Sequence, residues 1–222
     1  MDGTPLEMPQ QRSEASSGRR TYLIAKRALD VGTSLAVIAV GTIPVAITCV
    51  AICVESPGKP LFRHERIGRN GKRFGMWKLR SMYADAEDDI KTYLTPTQLA
   101  EWENEHKVSD DPRITKIGRV LRKTSLDELP QFLNVLVGDM SVVGPRPIVD
   151  EELAHYGDGL DEFLSCKPGV TGWWQVQARN DATYADGSRQ QLELYYARHA
   201  SATLDLNIVL RTFSAVFDGT GK

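Results

Sequence analysis

The chain has 222 residues, which is enough for one sizeable domain with an appended segment but too few for two full catalytic domains. Its 27 Lys and Arg residues nearly balance its 29 Asp and Glu residues, giving a formal net charge of −2. This balance argues against a generally basic nucleic-acid-binding protein, so no nucleic acid is expected as a partner. Three cysteines are too few for a disulfide framework and indicate a reducing compartment.

An uncharged, largely apolar run occupies residues 31–54. As a helix it would be about 36 Å long, enough to cross a hydrocarbon core of about 30 Å. A polar stretch rich in Ser, Gln, Glu and Pro comes before it, which argues against a signal peptide. We therefore predict a disordered tail over residues 1–20, followed by a membrane segment.

Two features of this run favour a re-entrant hairpin over a simple span. Lys and Arg flank it on both sides, and these residues prefer the cytoplasmic side of a membrane. Pro44, near its middle, kinks or breaks a helix because it removes a backbone hydrogen bond. We predict a helix-break-helix membrane segment over residues 21–56 with the break at Pro44; a bitopic anchor with a Pro kink is the alternative. Asp30, at the membrane edge, is predicted to pair with Lys26 or Arg27.

The next segment predicts a β-hairpin. Residues 61–66 and 74–79 have the composition and alternation of short strands. Between them, Asn70 and Gly71 form the dipeptide that is favoured in type I′ turns.

A helix start is predicted around the sequence Ser-Leu-Asp-Glu-Leu-Pro-Gln at residues 125–131. Ser125 and Glu128 have the spacing of a capping box. That assignment would place Pro130 at the fifth helical position, where a backbone donor is needed, so Asp127 is favoured as the N-cap. The Asp127 carboxylate and the free N–H groups would then converge on one point, which is typical of a phosphate site.

Two further segments carry functional expectations. Arg146 stands between Pro145 and Pro147, and a rigidly presented Arg suits a phosphate or a planar base. Residues 204–217 predict an apolar-faced helix that lies on the bilayer surface.

Five motifs follow one another along the chain: Lys78-x-Arg80-x-Met82, Arg122-x4-Asp127-Glu128-Leu-Pro-Gln, Gly138-Asp139-Met140-Ser141, Gly144-Pro145-Arg146-Pro147 and Pro168-Gly169-Val-Thr-Gly. Taken in this order they resemble one family, the bacterial sugar transferases known as monotopic phosphoglycosyl transferases, or polyprenyl-phosphate hexose-1-phosphate transferases. The resemblance extends over residues 26–217 and matches the short form of the family, with the strongest similarity to members that start exopolysaccharide by transferring galactose 1-phosphate.

The resemblance implies roles for particular residues. Asp127 would be the nucleophile that attacks a UDP-sugar and expels UMP, and Glu128 would bind Mg²⁺. The substrate-binding residues would be Lys78, Arg80, Arg122, Pro145, Arg146 and Pro147, with Lys78 and Arg122 at the diphosphate and Arg146 at the uridine end. Undecaprenyl phosphate would be the acceptor.

The expected fold class is α+β: a mostly helical, membrane-associated catalytic domain over residues 57–222, with a small β-hairpin and a C-terminal amphipathic helix. The resemblance implies that this domain faces the cytoplasm from the inner membrane. Glucose 1-phosphate or an N-acetylhexosamine 1-phosphate is the alternative transferred group. The functional alternatives are a bitopic scaffold and a non-catalytic module that binds nucleotide or lipid; whether the chain forms a homodimer stays open.

Overall fold

The computed structural model describes residues 11–86, 90–105, 108, 110–178, 182–184 and 186–217. The strands are β1 (Leu61–Ile67), β2 (Arg73–Leu79), β3 (Ser141–Val143) and β4 (Gly169–Thr171). The α-helices are α1 (Gln11–Glu55), α2 (Ile90–Tyr93), α3 (Pro96–Glu105), α4 (Lys116–Thr124), α5 (Gln131–Val137), α6 (Leu160–Leu164), α7 (Trp173–Gln177), α8 (Ser188–His199) and α9 (Ala202–Phe217). The prediction of a mostly helical α+β protein with a small β-hairpin is confirmed.

Helix α1 is the longest element and continues through Pro44. It begins at Gln11, so residues 11–20 are helical where a disordered tail is predicted; residues 1–10 lie outside the described part of the chain. Over Gly18–Glu55 the helix is long and apolar enough to cross a membrane by length and composition. A break of the helix at Pro44 stays a prediction.

One face of α1 contacts the rest of the protein along most of the helix. Val45, Cys49 and Ile52 pack with the buried side chains of Leu79 and Leu121. The contact positions form two groups, residues 22–34 and 45–52, and within each group they recur every three or four residues, as expected for a stripe on a helix. From the N-terminal side they are Tyr22, Lys26, Asp30, Ser34, Val45, Cys49 and Ile52. The opposite face exposes apolar side chains, among them Leu35, Val40, Ile43, Ile47 and Val54.

The polar residues in the N-terminal half of α1 bind the domain. Asp30 is buried and accepts hydrogen bonds from the Ser141 hydroxyl (3.0 Å) and the Val142 N–H (2.9 Å). Lys26 pairs with Asp205 at 2.7 Å. The predicted pairing of Asp30 with Lys26 or Arg27 is therefore wrong, because residues of β3 and α9 that are distant in sequence satisfy these side chains.

Helix α1 also binds the helices α4 and α5 at their ends. The Glu55 carboxylate accepts the N–H groups of Lys116 (2.7 Å) and Ile117 (2.9 Å), which open α4. The Arg27 guanidinium donates to the carbonyls of Val135 (2.7 Å) and Leu136 (2.8 Å), which close α5. These contacts satisfy backbone groups that a helix end leaves unpaired.

The predicted hairpin is confirmed. Strands β1 and β2 pair in antiparallel register, with Lys78 opposite Phe62 and Phe74 opposite Arg66. Asn70 and Gly71 have φ of 58° and 75°, and the Lys72 N–H donates to the Arg69 carbonyl, as a type I′ turn requires.

The core lies between the hairpin and the helices. Phe74 and Met76 of β2 pack with Val135 of α5 and with Met140, which precedes the parallel pair β3–β4. Tyr196 of α8 and Ile208 of α9 pack against Val143 from the other side. Leu206, Leu210 and Phe213 of α9 face outward and are exposed.

Replacing Asp30 by Ala is expected to destabilise the protein by about 2 to 3 kcal/mol, because it leaves the Ser141 hydroxyl and the Val142 N–H without an acceptor. Denaturant unfolding in detergent micelles measures the change. The matched control is Leu29→Ala, because Leu29 is the neighbouring residue and is 70% exposed. Equal stability of the two variants would contradict the anchoring role of Asp30.

Candidate active site

The candidate active site centres on the contact between Lys78 and two consecutive carboxylates. The Lys78 ammonium lies 3.0 Å from Oδ2 of Asp127 and 3.7 Å from Oε1 of Glu128. The Asp127 side chain is only 4% exposed, whereas that of Glu128 is 40% exposed. One carboxylate is therefore held inside the protein next to a cation, and the other reaches solvent.

The backbone places these carboxylates between two helices. Helix α4 ends at Thr124 and is capped by Ser125, whose φ of 56° turns the chain, and residues Leu126–Glu128 form a single 3₁₀ turn. Asp127 points from this turn to Lys78, which lies near the end of β2. A left-handed residue other than Gly, Asn or Asp is uncommon, so the turn is held by its surroundings.

The predicted N-cap role of Asp127 is wrong. Helix α5 begins at Gln131, and Pro130 occupies its N-cap position without a side-chain cap. The N–H groups of Glu128 and Leu129 instead donate to the carbonyls of Ser125 and Leu126 within the 3₁₀ turn. Because carbonyls within the turn accept these N–H groups, the Asp127 carboxylate is not needed as a helix cap and can pair with Lys78.

Arg122 adds a second cation near Asp127. Its Nε donates to the Ser81 hydroxyl at 2.9 Å. Burial lowers the pKa of Arg122, while the negative charges of Asp127 and Asp111 act in the opposite direction. Gly118 allows α4 to pack closely against the backbone at Ser81, since a Cβ at Gly118 would lie 1.9 Å from the Ser81 carbonyl oxygen. This close packing lets α4 bring Arg122 near Asp127.

Arg80 has a different environment from the other predicted substrate-binding cations. Its guanidinium is largely buried and donates to the carbonyls of Ser56 and Pro57, directly after α1. The Arg80 side chain therefore holds the segment that joins α1 to β1 against the end of β2.

The segment Pro145-Arg146-Pro147 forms a rigid turn beneath a buried carboxylate. Both oxygens of Glu193, in α8, accept the Arg146 N–H at 3.1 and 3.2 Å. The turn fits closely, since a Cβ on Gly144 would lie 2.3 Å from the carbonyl oxygen of Lys167. The Arg146 guanidinium lies 5.6 Å from the centre of the Trp174 ring.

The structure thus brings Lys78, Asp127, Glu128 and Arg122 together, and it places Pro145, Arg146 and Pro147 in a second group around Glu193. Sequence reasoning missed Ser81 and Glu193. Ser81 lies inside the Lys78-x-Arg80-x-Met82 motif, which is a usable signal. Glu193 gives none, because a Glu in a polar helix is expected to be exposed.

The solvent-reaching carboxylate of Glu128 is of the ligand type that magnesium prefers. Among the described residues, no group of three or more His, Cys, Asp or Glu could hold a metal ion. Mg²⁺ commonly uses only one or two carboxylates together with substrate phosphates, so a single exposed carboxylate fits such an ion.

The pH dependence of stability tests the burial of Glu193. Burial raises the pKa of this carboxyl from 4.5 to about 7, against the opposing effect of the Arg146 N–H. The folded protein therefore binds more protons than the unfolded chain between these values, and the free energy of unfolding falls as pH rises through that window, by up to about 3 kcal/mol. Glu193→Gln cannot ionise, so its stability relative to the wild type should rise from pH 4.5 to 7 and then level off.

The control for this measurement is Gln191→Ala, an exposed and non-titrating change on the same helix. Its difference from the wild type should not vary with pH. A flat difference for Glu193→Gln as well would refute the raised pKa.

Comparison with known proteins identifies the family. The model of the bacterial sugar transferase family matches residues 21–219. The undecaprenyl-phosphate galactose phosphotransferase of Salmonella typhimurium is 40% identical over 212 residues, which are 95% of this chain and 44% of that protein. The exopolysaccharide production protein ExoY of Sinorhizobium fredii is 41% identical over 197 residues, which are 87% of this chain and 85% of that protein.

A third relative, the UDP-glucose:undecaprenyl-phosphate glucose-1-phosphate transferase of Escherichia coli, is 36% identical over 99% of this chain and 44% of that protein. The chain thus spans less than half the length of the Salmonella and Escherichia relatives. The family match extends from α1 through the Asp127 turn and the Pro145–Pro147 turn to α9. The chain belongs to the bacterial sugar transferase family.

Proposed function

We propose that this chain transfers hexose 1-phosphate from a UDP-sugar to undecaprenyl phosphate and releases UMP, as the first membrane step of exopolysaccharide or glycoconjugate synthesis. The observation that carries the proposal is the 3.0 Å contact between Lys78 and the buried carboxylate of Asp127, in a member of this family. A carboxylate that must approach an anionic diphosphate needs opposing cations, and Lys78 and Arg122 supply them.

The reaction would take place in two steps. In the first, an oxygen of Asp127 bonds to the β-phosphorus of the donor, the bond from that phosphorus to the bridging oxygen breaks, and UMP leaves with the bonding electrons. In the second, an oxygen of undecaprenyl phosphate attacks the same phosphorus, and the Asp127 carboxylate is restored. Splitting the transfer in this way is nucleophilic catalysis by a carboxylate.

Other residues would bind and orient the substrates. Lys78 and Arg122 would contact the diphosphate, and Arg146 in its proline turn would contact the uridine end of the donor. Glu128, which is part exposed beside Lys78, would hold Mg²⁺. When bound, the ion neutralises phosphate charge.

Galactose is the favoured hexose. The names of the Salmonella relative and of a UDP-galactose-lipid carrier transferase of Erwinia amylovora, 38% identical over 198 residues, specify galactose. The name of the Escherichia relative specifies glucose, and that of an Aeromonas hydrophila relative specifies N-acetylgalactosamine. UMP release from UDP-galactose, UDP-glucose and UDP-N-acetylhexosamines decides among them.

The membrane helix would enter and leave one leaflet of the inner membrane, with the domain on the cytoplasmic side. Contacts of α1 with the domain extend from Tyr22 to Glu55, about 50 Å along the helix. A helix perpendicular to the bilayer would keep only one end near a cytosolic domain, so contacts at both ends support a re-entrant path. The exposed apolar side chains of Leu206, Leu210 and Phe213 on α9 would rest at the same surface.

Asp127→Asn tests the nucleophile. We expect it to lower UMP release by at least about 10³-fold, because the amide cannot form the phosphoryl ester. Membrane attachment should be unchanged. The assay contains purified protein, UDP-galactose, Mg²⁺ and undecaprenyl phosphate, and Asp161→Asn, an exposed change on α6, is the matched control.

A trapping experiment sharpens this test. With donor radiolabelled in the sugar and no lipid acceptor, the wild type should acquire label on the peptide that contains Asp127, and Asp127→Asn should not. Product formation without any adduct would remove Asp127 from the nucleophile role. The absence of UMP release from every UDP-hexose would leave a non-catalytic binding module.

Membrane topology is tested by cysteine labelling. In a chain whose three native cysteines are replaced by Ser, we expect a single Cys at the N-terminus or at the C-terminus to resist a membrane-impermeant reagent in intact cells. Both should react after the cells are broken. Labelling of the N-terminal Cys alone in intact cells would instead establish a bitopic anchor.

A further inference from the structure

Two arginine side chains pack against one tryptophan away from the Asp127 carboxylate. The guanidinium carbons of Arg146 and Arg189 lie 5.6 and 4.5 Å from the centre of the Trp174 ring. Arg189 also lies 4.1 Å from the centre of the Tyr184 ring. Such stacking orients a guanidinium while leaving its edge available for hydrogen bonds.

A third arginine, Arg66 on β1, adjoins this pair. Burial lowers the pKa of Arg66, and the positive charge of Arg146 lowers it further. One terminal nitrogen of Arg66 lies 3.3 Å from Nδ1 of His64. Three positive side chains from β1, the proline turn and α8 therefore converge.

These side chains carry buried donors without acceptors among the described residues. They are Nε of Arg66, Arg146 and Arg189, Nη2 of Arg189, and Nε1 of Trp174. A buried donor that lacks an acceptor destabilises the protein, so a cluster of such donors is unfavourable unless a ligand accepts hydrogen bonds from the cluster.

The nearby carboxylates balance this charge only in part. Glu152 lies 3.6 Å from Nη2 of Arg189 but also accepts the Val149 N–H at 3.0 Å. Glu193 is committed to the Arg146 N–H, and burial raises its pKa to about 7. Glu151 is exposed.

We propose that Arg66, Arg146 and Arg189, backed by Trp174, form a second anion site, which binds a phosphoryl group. Guanidinium groups suit this ligand because they donate two parallel hydrogen bonds to phosphate oxygens. The site goes beyond the proposed nucleophilic step and does not require it. Its phosphoryl group comes from the uridine nucleotide or from the lipid phosphate.

The register of the hairpin separates this site from Asp127. Arg66 stands opposite Phe74, four positions along β2 from Lys78, which is about 13 Å. Lys78 and Arg66 nevertheless lie on the same face of the hairpin, because directly paired residues and alternate residues share a face. The side chains of Phe74 and Met76 occupy that face between Lys78 and Arg66 and are buried in the core, so the arginines and Asp127 form separate sites.

Calorimetric titration of the full-length chain in detergent micelles tests the site. The ligands are UMP, uridine, inorganic phosphate and a short-chain polyprenyl phosphate. We expect Arg66→Gln and Arg189→Gln each to raise the Kd of the phosphoryl ligand by about tenfold or more. The matched controls are Arg63→Gln, on the opposite face of β1, and Arg198→Gln, an exposed residue of α8.

The comparison of ligands assigns the source. Preference for UMP over both uridine and phosphate identifies the nucleotide, and preference for polyprenyl phosphate identifies the lipid. Binding should persist in Asp127→Asn, which separates this site from the proposed chemistry. The proposal fails if no phosphoryl ligand binds, or if the two variants weaken binding no more than their controls do.

Variant stability is checked by thermal melting. If a Gln variant unfolds, Arg66→Lys or Arg189→Lys is used in its place. A lysine keeps the positive charge but cannot donate two parallel hydrogen bonds as a guanidinium does. They should still weaken binding severalfold. Lys variants that bind as tightly as the wild type would overturn the assigned guanidinium contacts.

Discussion

The ion pair between Lys78 and Asp127 is the contact around which the candidate active site is organised. A carboxylate that is 4% exposed has lost most of its hydration, and a cation at 3.0 Å offsets that loss. The pair also joins β2 to the 3₁₀ turn at Leu126–Glu128, so the hairpin sets the position of the carboxylate. Glu128 follows on the same turn but reaches solvent, which gives two adjacent carboxylates different surroundings.

Helix α1 supports this geometry as well as providing an apolar surface for a membrane. Glu55 binds the start of α4, and Arg27 binds the end of α5. These two helices flank the turn that carries Asp127. A shift of α1 relative to the domain would therefore disturb both supports of the turn at once. The apolar helix and the arrangement of the site are therefore coupled by hydrogen bonds as well as by proximity.

Local patterns in the sequence predict the elements of this fold, but long-range contacts decide the details. Asn70 and Gly71 specify the hairpin because their positive φ is a local preference. The left-handed conformation of Ser125 and the end of α5 at Pro130 depend on packing, so the N-cap assignment for Asp127 fails. Asp30 is satisfied by Ser141, 111 residues away, and charge patterning near a helix end gives no sign of such a partner.

The arginines fall into two environments that suit different tasks. Arg122 donates to the Ser81 hydroxyl and is attracted by the negative charge of Asp127, so partners within the protein already stabilise its charge. Arg146 repels Arg66, and Arg66, Arg146 and Arg189 all keep donors that lack acceptors in the described part of the chain. A ligand phosphate gains most where charge is least balanced, because it replaces repulsion by attraction. The arginines around Trp174 would therefore contribute more to the affinity for the ligand. The cations near Asp127 would contribute more to stabilising charge at the reacting phosphorus.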